Sequence, residues 1–318
     1  MAEFLGLAPG HWRWAESLGT PGAMNPPAPA RKKIALIQSR LRATRAATLE
    51  HTEGQVRQAA QEGAQLVCLQ ELFADPYFCQ TEDPAFFELA EPFDGALGKK
   101  FSALASELGV VIVVPFFEKR AEGLYHNALS VLGPDGSCLG RYRKMHIPDD
   151  PQFMEKYYFA PGDLGFLACD SPVGRLGPLI CWDQWYPEAA RLVAMKGAQV
   201  LIYPTAIGWL PSEKENDGEA QLDAWKTMQR SHAIANGTYV VAVNRVGKEE
   251  QKGAEIEFWG HSLVVDPLGR VVAEADEVEQ ILYAELDFSL LGETRKWWPF
   301  FRDRRIDAYQ ELTQRWLQ

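Results

Sequence analysis

Leu66-Val67-Cys68-Leu69-Gln70-Glu71 is the stretch on which the fold turns. Four apolar residues in a row are short enough for a buried strand and too short for a helix, and they end abruptly on two polar side chains. Upstream, residues 43–63 carry Ala, Leu and Val at helical spacing and stop at a glycine, the usual helix terminator. Before them, Lys33-Ile34-Ala35-Leu36-Ile37-Gln38 is another short apolar run. Downstream, a helical stretch at 96–108 closes on Gly109 and leads into Val110-Val111-Ile112-Val113-Val114. Strand, helix, strand, helix, strand predicts an α/β fold with helices packed on a sheet.

The middle of the chain changes character. Residues 125–132 and 137–142 flank Gly133-Pro134-Asp135-Gly136, a hairpin turn signal. Pro178-Leu179-Ile180 predicts a strand that stops at Cys181, followed by a helix at about 188–196 and a strand at 199–203. A longer helix is expected over 219–236, a strand over 239–244, and a second hairpin at Asp266-Pro267-Leu268-Gly269. With no internal repeat or linker, residues 32–318 are expected to form one domain with a C-terminal arm from about 291. Residues 1–31 are expected to be a flexible tail in which Pro26-Pro27-Ala28-Pro29-Ala30 is an extended linker, and Met24 is an alternative start.

The 318 residues include 47% hydrophobic and 24% charged side chains, ordinary for a globular enzyme. Thirty-two basic against 43 acidic residues leave a net charge of −11, which argues against nucleic-acid or anionic-membrane binding and is compatible with a cationic substrate. No apolar run approaches the roughly 18 residues of a membrane helix. The five cysteines, Cys68, Cys79, Cys138, Cys169 and Cys181, are odd in number and contain no CxxC pair, so a disulfide framework or zinc site is not expected and a reducing cytoplasm fits. The six histidines show no HxH or HxxxH spacing, so no metal is expected.

Three polar residues fall at the ends of apolar strands, where α/β proteins collect ligands: Glu71, Lys144 and Cys181. A thiol with pKa near ~8.5 is mostly protonated at neutral pH and needs a base. A carboxylate within reach supplies one, and an ammonium holds the thiolate and later the oxyanion of a tetrahedral intermediate. The backbone N–H of Trp182 is expected to complete the oxyanion hole. Singly, each residue has a plainer explanation: a packed core cysteine, a capping glutamate, a solvated lysine.

The surrounding motifs decide between these. Leu69-Gln70-Glu71-Leu72-Phe73, Tyr142-Arg143-Lys144-Met145-His146-Ile147-Pro148-Asp149-Asp150 and Ile180-Cys181-Trp182-Asp183-Gln184-Trp185-Tyr186-Pro187-Glu188 resemble the nitrilase superfamily, and within it the N-carbamoylputrescine amidase subgroup. So do Glu155-Lys156-Tyr157-Tyr158-Phe159-Ala160-Pro161-Gly162-Asp163, Tyr203-Pro204-Thr205-Ala206-Ile207-Gly208-Trp209 and Phe301-Arg302-Asp303-Arg304-Arg305. The resemblance runs from about Lys33 to the C-terminus. It implies a four-layer α-β-β-α sandwich with two central mixed sheets, Glu71 as general base, Lys144 as transition-state stabiliser and Cys181 as nucleophile. It also implies that Glu155 positions the substrate and catalytic groups, that no cofactor is used, and that the chain forms a homo-oligomer, at least a dimer, with its C-terminal arm across the interface.

The same residues serve nitriles, amides, ω-amides and N-carbamoyl acids across that superfamily, so the chemistry does not name the substrate. An N-carbamoyl amino acid needs a cation for its carboxylate, and none stands in Trp182-Asp183-Gln184-Trp185. A carbamoylated amine, N-carbamoylputrescine, fits better. Asp183, Tyr157, Trp185 and Trp209 are the expected partners for its ammonium, although packing explains each tryptophan as well. A catalytically silent ligand-binding protein is the alternative from a different class.

Overall fold

The computed structural model describes residues 31–317; the expected tail at 1–31 therefore lies, apart from Arg31, outside the described residues. Five strands open the first sheet: β1 (Lys32–Gln38), β2 (Leu66–Leu69), β3 (Val111–Ala121), β4 (Leu124–Leu132) and β5 (Cys138–Arg143). Helices α1 (Arg45–Gln61) and α2 (Ala96–Leu108) connect the first three in parallel, and the two hairpins that follow are antiparallel. Alternation along these strands gives both faces an apolar surface. Ile34, Leu36, Cys68, Val111 and Val113 face the second sheet, whereas Ala35, Ile37, Val67, Leu69 and Ile112 face Val56 and Ala59 of α1 and Leu97 and Phe101 of α2. Thr44 caps α1 by accepting from the N–H of Ala47, and Gly109 ends α2 at φ +66°, a left-handed turn that glycine adopts without strain.

The second sheet contains β6 (Cys169–Ser171), β7 (Gly174–Pro178), β8 (Val200–Pro204), β10 (Tyr239–Val243), β13 (Leu263–Val265) and β14 (Val271–Glu274), with β7, β8 and β10 parallel. Helices α3 (Pro187–Met195) and α4 (Pro211–Asn236) supply the apolar side chains that cover its outer face, among them Ala189, Val193, Trp225 and Ala233. The expected succession of layers, helices, sheet, sheet, helices, is thus the observed one. A small third sheet joins β9 (Gly208–Trp209) to the hairpin of β11 (Val246–Gln251) and β12 (Ala254–Trp259). The last strand, β15 (Gln280–Leu286), returns to the first sheet and pairs antiparallel with β1. A final helix, α5 (Ser289–Trp297), precedes exposed 3-10 turns.

Several boundaries differ from the sequence reading. β3 runs on to Ala121 because its outer half pairs with β4 despite Pro115. β7 ends at Pro178, so Leu179 and Ile180 have already left the strand when the chain reaches Cys181, although the N–H of Leu179 still donates to the carbonyl of Ile202. α4 begins at Pro211, eight residues before the expected start, with proline in its first turn and Glu213 three residues inside.

Candidate active site

Glu71, Lys144, Glu155 and Cys181 come from four separate segments and meet at one place. Glu71 follows β2, Lys144 follows β5, Glu155 opens a 3-10 turn, and Cys181 opens another after β7. The three charged residues are fully buried, and Cys181 is 5% exposed. Lys144 Nζ donates to Glu71 Oε1 at 2.8 Å and to Glu155 at 2.9 and 2.7 Å. Asn127 Nδ2 donates to the same Glu71 oxygen at 2.7 Å, and the Tyr77 hydroxyl donates to Glu155 Oε1 at 2.8 Å. Glu71 Oε2 is buried and has no hydrogen-bond partner. One oxygen of Glu71 is therefore fixed by two donors while the other is left to accept a proton.

Electrostatics follow from this arrangement. Burial works against the Lys144 ammonium, but Glu155 and Glu71 outweigh it and hold its pKa well above the ordinary lysine range. Burial pushes the Glu155 carboxyl up, and Lys144 opposes the shift. Burial, then the Glu71 charge, push the Cys181 thiol well above its ordinary value. The sulfur accordingly rests as a neutral thiol.

Backbone geometry aims that sulfur. Cys181 has φ +40° and Leu72 has φ +48°, left-handed values that non-glycine residues adopt only when their surroundings impose them. Arg245, 1% exposed, braces the loop after Glu71 by donating to the carbonyls of Leu72 at 2.7 Å and Glu71 at 3.2 Å while pairing with Glu249 at 2.6 Å. On the other side, Asp183 Oδ2 accepts from the Ile180 N–H at 3.0 Å and the Tyr142 hydroxyl at 2.8 Å, and Asp183 Oδ1 is 2.7 Å from His146 Nδ1. Gln184 Oε1 accepts from Trp225 and Gln229 of α4 at 2.7 and 2.8 Å.

Cys181 opens into a cavity of about 400 Å³. Glu155 shares its floor, Trp182 and Trp185 form one wall, and Leu210, Glu213, Gln221 and Ala224 of the α4 region form another. Phe153, Asp150 and Trp259 complete the lining with neighbouring residues. Among the expected substrate contacts, Trp185 does line this cavity. Asp183 does not: it is fully buried and its oxygens are engaged around the nucleophile turn. Tyr157 lies outside it, packed against Phe87 and Tyr158. Trp209 is a core side chain whose indole N–H donates to the Gly218 carbonyl at 3.0 Å. For all three, position beside a motif in sequence was a poor guide to direction in space.

Sequence reasoning missed Tyr77, Asn127, Glu213, Gln221 and Trp259. Asn127 alone carried a signal, an amide inside a strand that is mostly apolar. Glu213 was hidden because Ser212-Glu213-Lys214-Glu215-Asn216-Asp217-Gly218 has turn-like composition, although it forms the first turns of α4. Among the described residues, no group of three or more His, Cys, Asp or Glu side chains is gathered as a metal ion would require, and no helix is long and apolar enough to cross a membrane.

Such a site on two packed mixed sheets places the protein among the amidohydrolases of non-peptide carbon–nitrogen bonds. Residues 33–296 match the family described as carbon-nitrogen hydrolase. The chain belongs to that family, the nitrilase superfamily. It is 46% identical over 263 residues to a Solanum lycopersicum protein named N-carbamoylputrescine amidase, covering 81% of this chain and 86% of that one. A Francisella tularensis citrullinase is 38% identical over 286 residues, 89% of this chain and 99% of the relative. The crystal structure of a carbon-nitrogen hydrolase from Helicobacter pylori G27 superposes with a TM-score of 0.87 at 49% identity, covering 91% of this chain and all of that one.

Proposed function

We propose that the protein hydrolyses the ureido group of N-carbamoylputrescine to putrescine, carbon dioxide and ammonia, with Cys181 as nucleophile, Glu71 as general base and Lys144 as electrostatic stabiliser. The observation that carries the catalytic reading is the division of labour on Glu71, one oxygen held by Lys144 and Asn127 and the other buried without a partner, in a carboxylate whose charge acts on the Cys181 thiol. Relatives named for this activity, 41–46% identical over 81–88% of the chain, support the substrate.

A urea-type carbonyl is a weak electrophile because both nitrogens donate into it. The Lys144 ammonium and the Trp182 N–H polarise its oxygen while Cys181 Sγ attacks the carbon and Glu71 Oε2 takes the thiol proton. Collapse of the tetrahedral intermediate breaks one carbon–nitrogen bond, and the departing amine takes that proton from Glu71. A thiocarbamate on Cys181 remains. Glu71 then removes a proton from water, hydroxide adds to the thiocarbamate carbon, and the carbon–sulfur bond breaks as the sulfur takes that proton back from Glu71; the carbamic acid released decomposes to carbon dioxide and the remaining nitrogen product. Glu155 holds Lys144 in place with two contacts and is itself held by Tyr77.

Two further readings accompany this one. Five cysteines free of disulfides favour a reducing cytoplasm, which cell fractionation checks. Exposed Trp298, Ile306, Leu312 and Trp316 favour a homo-oligomer built through the C-terminal arm, which sedimentation of the protein as a monomer would remove.

The decisive experiment is ammonia release from purified protein, comparing N-carbamoylputrescine with N-carbamoyl-β-alanine. The expected result is preference for the first and complete loss with Cys181→Ala at unchanged circular dichroism. Retained turnover in Cys181→Ala would sink the nucleophile, and preference for the acid would sink the substrate.

A further inference from the structure

We infer that Glu213, in the first turn of α4, is the residue that selects a cationic tail on the substrate. The inference rests on the reading that Cys181 attacks a small carbamoylated amine. A primary ammonium has three N–H donors and no acceptor, so the wall that receives it must offer oxygen and must hold no competing cation. Among the described residues that line the cavity there is no lysine or arginine.

The cavity has three carboxylates, Glu155, Asp150 and Glu213. Glu155 is committed to Lys144 and Tyr77. Asp150 is exposed, where water screens a charge pair to little value. Glu213 is half-buried on a helix that Trp225 and Gln229 anchor to the nucleophile turn. Its one hydrogen bond, from the Leu210 N–H to Oε2, is 3.5 Å long, the outer limit of such a contact. The adjacent Lys214 does not neutralise it, because Nζ of Lys214 reaches Glu257 at 2.7 Å and lies over the Trp209 ring.

Residues that line the cavity also carry polar atoms that are buried without a partner. Gln221 Oε1, eight residues along α4 from Glu213, is buried without a partner. So are the indole N–H groups of Trp185 and of Trp259, the latter 2% exposed. Eight helical residues rise about 12 Å, which spreads the two acceptors of α4 along the wall instead of gathering them at one point. An elongated ligand held at Cys181 can extend an ammonium to Glu213, whereas a ligand ending in a carboxylate would meet like charge there.

The test compares N-carbamoylputrescine with N-pentylurea, in which a methyl group replaces the ammonium, in the full-length enzyme. Wild type is expected to prefer the cationic substrate. Glu213→Gln should lower kcat/KM for N-carbamoylputrescine by about tenfold, mainly through KM, and shrink the preference over N-pentylurea by the same factor. Glu213→Asp, which keeps the charge, should restore part of the preference, and thermal unfolding checks that both variants are folded. Equal losses on both substrates would make Glu213 a helix cap only, and an unchanged preference would move the ammonium elsewhere; either overturns the inference. Failure of the underlying reading looks different, because wild type itself would then show no preference for the cationic substrate.

Discussion

Cys181 occupies a backbone conformation that costs a non-glycine residue of order 1–3 kcal/mol, and it does so where the chain has just left β7 and the Asp183 carboxylate pins the Ile180 N–H. That cost is met by buried hydrogen bonds on either side, so the thiol is aimed before substrate arrives. Aim and ionisation are separate matters here. Because burial and Glu71 raise the Cys181 pKa well above its ordinary value, the sulfur is held as the thiol at pH 7. A raised thiol pKa means reactivity grows with pH. Inactivation by methyl methanethiosulfonate, followed as loss of ammonia release, should be slow at pH 7 and accelerate by about tenfold per unit up to pH 9. A plateau already reached at pH 6–7 would mean a resting thiolate and would contradict proton removal by Glu71 during attack. Glu71→Gln should lower kcat by about 10²–10⁴ while leaving the protein folded, since it removes the acceptor for that proton and keeps an oxygen for Lys144 and Asn127. Activity close to wild type in that variant would remove Glu71 from the base role.

At the scale of the element, α3 and α4 set the position of the nucleophile turn from behind and from the side. A side chain at Gly177 would bring its Cβ to 2.2 Å from Val193 Cγ1 of α3 and 2.8 Å from Ala198 Cβ, so β7 and α3 approach as closely as only glycine permits. Gly177→Ala should lower stability by about 1–3 kcal/mol in denaturant unfolding, and Val193→Ala in the same chain should recover part of it by making room. No loss in the single variant would mean that the contact is looser than the structure has it. The elements that were legible in sequence were those whose burial writes a pattern: the apolar runs of β1, β2, β8 and β10, and α2 with its terminal glycine. The elements that escaped lie where burial is partial. β11 and β12 carry Lys248, Glu249, Glu255 and Glu257 on a small sheet outside the main core, and β15 alternates too weakly to stand out. For the site, the residues that do chemistry sat in recognisable motifs, while those that shape the cavity were spread over a strand, a loop and the polar start of a helix. Direction was the missing information: Asp183 and Trp209 adjoin the right motifs and point into the protein.

For the whole molecule, two six-stranded sheets enclose one apolar core, and the site lies at the strand ends of both, with Glu71 and Lys144 from one sheet and Cys181 from the other. Neither sheet alone can assemble it, so loss of contact between the sheets and loss of turnover should coincide on unfolding. β1 is flanked by β2 on one side and by β15 on the other, in continuous register from Lys32 opposite Leu286 to Gln38 opposite Gln280. Among the described residues, the first strand to leave the ribosome therefore waits for a partner more than 240 residues behind it. At about 5–20 residues per second, that interval is tens of seconds during which a nascent apolar edge stands open.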